Sequence, residues 1–315
     1  MLEKLKANNK IIINTDLDGI LSGLFLHHFC NCEIVGFSNS IDSVWIDETK
    51  CKSIFHAVYI DLFVANSNVV CIDQHIISID KQHHELLSKN ANKINPNIDN
   101  PHFHLPNNSY YSKYPFGTIH YIIAQLEKST IDLSNFDYNK TIENLNFKDY
   151  LLRADDAMKT TIDSNYIENA QYWWKWLYQF SNNSKIIRDL THYLVSLNPE
   201  KVTTIKTKIS KKLKTSFDCD SSDGGINEIC NSNNKIKESA KNYFKFMADS
   251  CGLSRFDFDL NLTKISGTNK RISLTEIQKL DLIEHGKIND ELVFSYAFVR
   301  SSNREENFSY TVLDI

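Results

Sequence analysis

Ile11-Ile12-Ile13-Asn14-Thr15-Asp16-Leu17-Asp18-Gly19-Ile20 is the stretch that decides how this chain is read. Its three β-branched residues form a short apolar run of the kind buried on both faces of a parallel sheet. The run stops at alternating oxygen-bearing side chains, Asn14, Asp16 and Asp18. Alternate residues of an extended chain point the same way, so the three can face one point. Gly19 permits a tight turn. Beyond it, Leu21, Leu24, Phe25, Leu26 and Phe29 give residues 20–29 one broad apolar helical face.

The same arrangement recurs outward from this segment. Val58-Tyr59-Ile60 is followed by Asp61, and Val69-Val70-Cys71-Ile72 by Asp73-Gln74-His75. With a further strand expected over 33–37, strand and helix signals alternate through the first 75 residues. Such alternation predicts an α/β fold, a doubly wound and mainly parallel sheet. The acids then collect on one sheet edge, where open α/β folds place their ligands. Carboxylates gathered there repel one another unless a cation neutralises them, so a metal site is the first expectation.

Residues 76–114 are rich in Asn, Pro and His, with turns expected at Asn95-Pro96-Asn97 and Asn100-Pro101. A helix is expected from Gly117-Thr118 through Leu126. A second is expected over 147–158, with Asp155-Asp156 near its end, and a third around Tyr172-Trp173-Trp174. Composition shifts near Asn182-Asn183-Ser184, which predicts a larger domain over 1–185 and a smaller α+β substrate-binding or accessory domain over 186–315. The second part opens with a segment, 201–214, that carries six lysines and no acid. It closes on strand-like runs at 292–299 and 308–313, joined by a turn-like 301–306, which reads as a hairpin.

The 315 residues are 42% hydrophobic with a net charge of −4, so there is a core to build and no overall basic field. Nucleic-acid contact would need a local patch. Seven cysteines without a CxxC pair suggest reduced thiols and a cytoplasmic chain. No apolar run approaches the ~20 residues that span a bilayer, so no membrane partner is expected.

Each motif also has an ordinary reading. Asp16 or Asp18 can simply cap the next helix, Asp61 can end a strand, and His75 can be a satisfied histidine. Arg153-Ala154-Asp155-Asp156 can be a charged helix end with Arg153 pairing outward. Their joint occurrence, each after an apolar segment, is what resembles the DHH phosphoesterase superfamily. That superfamily includes RecJ-type exonucleases and phosphodiesterases of short oligonucleotides and cyclic dinucleotides. Asn14, Asp16, Asp18, Gly19 and Ser22 match its first motif, Asp61 its second, Asp73-Gln74-His75 its third, and Asp155, with Asp156 as alternate, its fourth. Asn95-Pro96-Asn97 and 113–118 are similar to the stretch between the last two, and the likeness covers about residues 8–180. Gln74 stands where the family has His, and Asn14 where it has His or Asp. Asp223-Gly224-Gly225 is a faint echo of the glycine-rich motif of the family's C-terminal domains.

The resemblance implies two-metal phosphodiester hydrolysis with Mn²⁺ or Mg²⁺ held by Asn14, Asp16, Asp18, Asp61 and Asp155. His75 would contact the scissile phosphate and Asp73 would orient its neighbours. Gly117-Thr118, at a helix N-terminus, would bind phosphate through backbone N–H groups, though a plain helix start explains them as well. The implied substrate is single-stranded nucleic acid, a short oligonucleotide or another small nucleotide. Lys201–Lys214 and the aromatic side chains Tyr243, Phe244 and Phe246 are possible contacts, with a solvated helix face and a core as the simpler accounts. Two alternatives stand beside this. One is a degenerate nucleotide-binding or scaffold protein, favoured by Asn14 and Gln74. The other is a haloacid-dehalogenase-type phosphatase with Asp16 as nucleophile, which the absence of any Gly-Asp in the sequence disfavours.

Overall fold

The computed structural model describes residues 1–100, 110–129, 131–300 and 305–315. It is an α/β protein built on one large sheet of nine strands. These are β1 (Lys10–Asn14), β2 (Glu33–Ser38), β3 (Ser43–Asp47), β4 (Val58–Ile60), β5 (Cys71–Ile72), β6 (Lys93–Ile94), β7 (Leu262–Ile272), β8 (Ser295–Phe298) and β9 (Phe308–Leu313). Their order across the sheet is β8-β9-β7-β3-β2-β1-β4-β5-β6. Neighbours from β2 through β1, β4 and β5 to β6 run parallel. From β2 to β8 every pairing is antiparallel.

The sheet is mixed: five of its nine strands form the parallel part that was expected, and four further strands add antiparallel to it. The parallel part reads from sequence because its strands are apolar throughout: Ile11, Ile12 and Ile13 are fully buried. Ile12, Tyr59 and Cys71 pack on one face, and Ile11, Ile13, Ile60 and Ile72 on the other. β7 carries no such signal. It alternates polar residues with few apolar ones and stays half exposed, so its pairing with β3 is a tertiary outcome rather than a local one. This pairing carries a strand of the second half of the chain into the sheet of the first. Helices on the two sides of the expected boundary at 185, Ser164–Phe180 and Lys185–Ser196, also contribute to one core, through Trp173, Leu177, Ile187 and Leu190.

The C-terminal hairpin β8–β9 forms as expected. It curls back so that Ser295 and Phe298 bridge to Val64 and Ile76. The expected turns at Asn100-Pro101 and 301–306 lie partly outside the described residues. The expected helix over 147–158 ends instead at Leu151. A left-handed backbone at Asp155 (φ 47°) turns the chain before a short helix begins at Lys159.

Chain order places the switch of direction at β1. The chain moves from β1 to β2 on one side and then to β4, β5 and β6 on the other. Parallel sheets open a crevice at such a point, beyond the carboxyl ends of the strands. Asn14, Asp61 and Asp73 are the residues at the ends of β1, β4 and β5.

Candidate functional site

Asp16 caps the helix Leu17–Cys30, accepting Gly19 N–H at 2.9 Å. The cap and the site are one structure, because this turn projects Asp16 and Asp18 over the end of β1. Gly19 is required by closeness: a Cβ there would lie 2.4 Å from the Asn14 carbonyl oxygen. Asp61 adopts a left-handed backbone, φ 61°, which a non-glycine residue rarely holds unless its surroundings fix it. Its carboxylate is fixed from two sides. Thr118 Oγ1 donates to Oδ1 at 2.6 Å and Asn14 Nδ2 to Oδ2 at 3.1 Å.

Asp16, Asp18, Asp61, Gln74, His75, Asp155 and Asp156 line one cleft of about 270 Å³. Four distant segments thus supply a single pocket. Ligand atoms of Asp61, Asp73 and His75 lie within 4.8 Å of one another. Asp73 sits just behind the surface and accepts both the backbone N–H and Nδ1 of His75, at 3.1 and 2.6 Å. That leaves Nε2 as the ring atom for a ligand.

Not every expected residue serves the expected way. Asn14 lies beneath the cleft. Its oxygen accepts Thr15 N–H at 2.8 Å, and its nitrogen donates to Asp16 and Asp61. It bridges two carboxylates as a donor and presents no oxygen to a cation. Gly117 and Thr118 do not line the cleft either. The N–H groups of Thr118 and Ile119 are both taken by the Asp18 carboxylate, at 2.7 and 3.0 Å. This helix N-terminus is already filled by an internal anion. A Cβ on Gly117 would lie 2.6 Å from Asp18 Oδ2 and 2.7 Å from Ala154 Cβ. Gly117→Ala should therefore destabilise the fold by roughly 1–3 kcal/mol through overpacking. Chemical denaturation checks this, and an unchanged midpoint would refute the tight packing.

Asp155 and Asp156 face Lys113 Nζ at 3.0 and 3.3 Å, and Lys159 also pairs with Asp156. Lys113 is almost fully buried, at 3% exposure. Nothing in the sequence announces this internal counter-ion. Arg153 departs most from expectation. It points inward, donates to Ser222 Oγ at 3.4 Å, and keeps a buried Nε without a partner. With Lys159 and Lys206 it lines the same cleft as the carboxylates.

The loop from the second half of the chain closes the cleft. Asp223 lines it, its carbonyl accepts Leu17 N–H at 3.0 Å, and Thr15 Oγ1 donates to Ile226 O at 2.8 Å. The faint glycine-rich echo at 223–225 thus lies at the site. Gly224 holds φ 88° there, with Tyr243 OH 2.4 Å from where a Cβ would stand. Tyr243 and Phe244 are fully buried, stacking on Phe217 and Phe37, so they are core and not base-stacking platforms.

The electrostatics follow from burial and crowding. Burial pushes the Asp16 carboxyl up to about 6. Burial, then the charge of Asp16, pushes Asp18 up to about 7. Asp61 is raised well above the usual carboxylate range by burial and by Asp18, Asp16 and Asp73. His75 is opposed by burial, but the charge and hydrogen bond of Asp73 outweigh it and lift the imidazole to about 9. Burial would also raise Asp156, yet Lys113 and Lys159 bring it down to about 2.

The donor set fits a hard divalent cation. Carboxylates that bind protons this readily lack a positive partner, and Gln74 Oε1 is a buried amide oxygen with no donor. Asp61, Asp73 and His75 bring ligand atoms within 4.8 Å of one another, and Asp16 and Gln74 line the same cleft as Asp61 and His75, which together could hold one cation. A second is served less well, because Asp18 is engaged by two backbone N–H groups and Asp155 by Lys113. No protein-family model, curated protein or solved structure matches the chain. Among the described residues no helix is long and apolar enough to cross a membrane.

Proposed function

We propose that the chain is a divalent-metal-dependent phosphodiesterase of the DHH type, acting on short oligonucleotides or other small nucleotides. The observation that carries this reading is one cleft lined by both acidic and basic side chains. Asp16, Asp61, Gln74 and His75 line it together with Arg153 and Lys206, while Lys159, also on the lining, is paired with Asp156. A phosphodiester has the charge and the oxygens to satisfy both when a cation lies against the acids.

A bound Mg²⁺ or Mn²⁺ supplies Lewis acidity and an activated water at neutral pH. The remaining work belongs to the chain. Asp73 holds His75 in one orientation and keeps it protonated, so Nε2–H is directed to a phosphate oxygen. Arg153, with its spare N–H groups, and Lys206 take the other non-bridging oxygens. The loop at Asp223 excludes bulk water from one side of the cleft.

The basic helix Pro199–Phe217 argues for a small substrate. Lys206 reaches the cleft. At roughly 100° per residue, Lys201, Lys208 and Lys212 lie on about the opposite side of the helix. Lys212 instead pairs with Glu143. A long single strand would find one lysine at the mouth and no continuous track.

The test is hydrolysis of an end-labelled pentanucleotide and of a dinucleotide with Mn²⁺, with Mg²⁺, or with chelator. Metal-dependent cleavage of both is expected, and no cleavage with either metal would reject the proposal. A second reading, a nucleotide-binding protein without turnover, is favoured by Asn14 and Lys113, which satisfy carboxylates that a second cation would otherwise need. It requires nucleotide binding that survives chelation.

A further inference from the structure

A cavity of about 670 Å³ lies away from the carboxylate cleft, between the loop after β4 and the C-terminal hairpin. Phe63, Leu87, Phe294, Val293 and Tyr296 are among the apolar side chains of its wall, and Leu86 and Leu292, both about half exposed, line it as well. The exposed side chains of Glu284 and His285 lie on its rim. Its size and apolar wall are those of a small-molecule site.

Two polar groups in that wall are incompletely answered. Lys93 is buried, with Nζ donating to the carbonyls of Val64, Asn66 and Val69 at 2.7, 2.8 and 2.9 Å and lying 3.5 Å from the Cys71 sulfur. All four partners are neutral, since burial raises the Cys71 thiol. Nζ gives its N–H groups to these acceptors, lies 5.0 Å from the Phe63 ring centroid, and makes no ion pair with a carboxylate among the described residues, an arrangement that is costly inside a protein. His83 is the second group, 8% exposed. Its Nδ1 accepts Ile79 N–H at 3.2 Å, so the ring proton is on Nε2, and no partner for Nε2 is found among the described residues. Burial lowers the pKa of this histidine to about 4, which keeps it a neutral donor.

We propose that this cavity is a second binding site, for a small carboxylic acid with an apolar body. The acid group accepts Nε2–H of His83 and supplies the counter-charge that Lys93 lacks. The body lies among Phe63, Leu87, Phe294 and Tyr296. A phosphate is a poorer fit because the three N–H groups of Lys93 are already used, leaving one donor for an oxyanion that needs several. A neutral apolar molecule would fill the space and leave the ammonium unanswered.

Calorimetric titration of the metal-free chain with decanoate and with decan-1-ol tests this. Saturable binding of one decanoate per chain is expected, about tenfold or more tighter than decan-1-ol, since hydrogen bonds and charge contacts of this kind are worth at least that factor. Leu86→Asp, which sets a like charge on the lining, and His83→Leu, which removes the donor, should each weaken decanoate by about tenfold while leaving decan-1-ol little changed. Asp61→Asn should leave decanoate binding as it is. Absence of saturable decanoate binding, equal affinity for the alcohol, or binding insensitive to Leu86→Asp would overturn the proposal.

Discussion

Asp61→Asn is expected to lower metal-dependent phosphodiester hydrolysis by about 10³-fold or more, a barrier increase of roughly 4 kcal/mol. The folded chain should remain as stable as before or more so. Asp61 ends β4 with its carboxylate among Asp16, Asp18 and Asp73, and these raise its proton affinity. Asparagine keeps the shape, tolerates the left-handed backbone at φ 61°, and can still accept the Thr118 hydroxyl. It removes one negative charge from a crowded buried cluster, which favours the metal-free fold and removes a ligand from the metal-bound one. Melting curves of the two proteins, with and without Mn²⁺, accompany the assay. A variant that keeps full activity would show that the site is not built around this carboxylate. One that unfolds would show Asp61 to be structural.

A divalent cation should stabilise the chain much more at about pH 8 than at about pH 5.5, because protons and cations compete for the same carboxylates. Folding raises Asp16 to about 6 and Asp18 to about 7, from 3.8. A group raised on folding contributes stability that is complete below its unfolded pKa and is lost as the pH climbs through its folded value. The metal-free protein therefore loses stability between about pH 4 and pH 7, and each tenfold gain in proton affinity on folding is worth about 1.4 kcal/mol of it. His75 has the same sign: its contribution is complete below 6.5 and lost as the pH rises through about 9. Asp156 has the opposite sign, losing its contribution only as the pH falls through about 2, outside this range. A cation at about a hundred times its dissociation constant adds ~2.7 kcal/mol. Thermal melts at the two pH values, with Mg²⁺, Mn²⁺ or chelator, check this. An equal metal effect at both would mean that the cation binds elsewhere or that these acids do not titrate together.

What can be read from sequence depends on how local each cause is. Ile11–Ile13, Ile60 and Ile72 announce parallel strands because each is buried on both sides by its own neighbours. The acid that follows each run is then placed by strand geometry alone. β3 carries an apolar Val44-Trp45-Ile46 centre but nothing local that sets its antiparallel direction, and β7 escapes such a reading because it is half solvated. The basic part of the lining is invisible for a different reason. Arg153 and Lys206 reach the cleft only because the chain breaks at Asp155 and a helix from the second half packs there. No local pattern distinguishes Lys206 from the five lysines near it, or a buried Lys113 from an exposed one. Asn14 and Gln74 stand out by position, but their opposite roles, donor and free acceptor, depend on neighbours that only the fold supplies.

The insertion of β7 beside β3 also constrains the order in which the molecule is made. Until residue 262 has left the ribosome, β3 presents an open row of backbone donors and acceptors, the kind of edge on which nascent chains aggregate. The bonds Leu17–Asp223 and Thr15–Ile226 join residues more than 200 positions apart. Contacts so distant form late and slowly. The growing chain thus carries its acidic first half as an uncovered surface until residues 206–226 have been made.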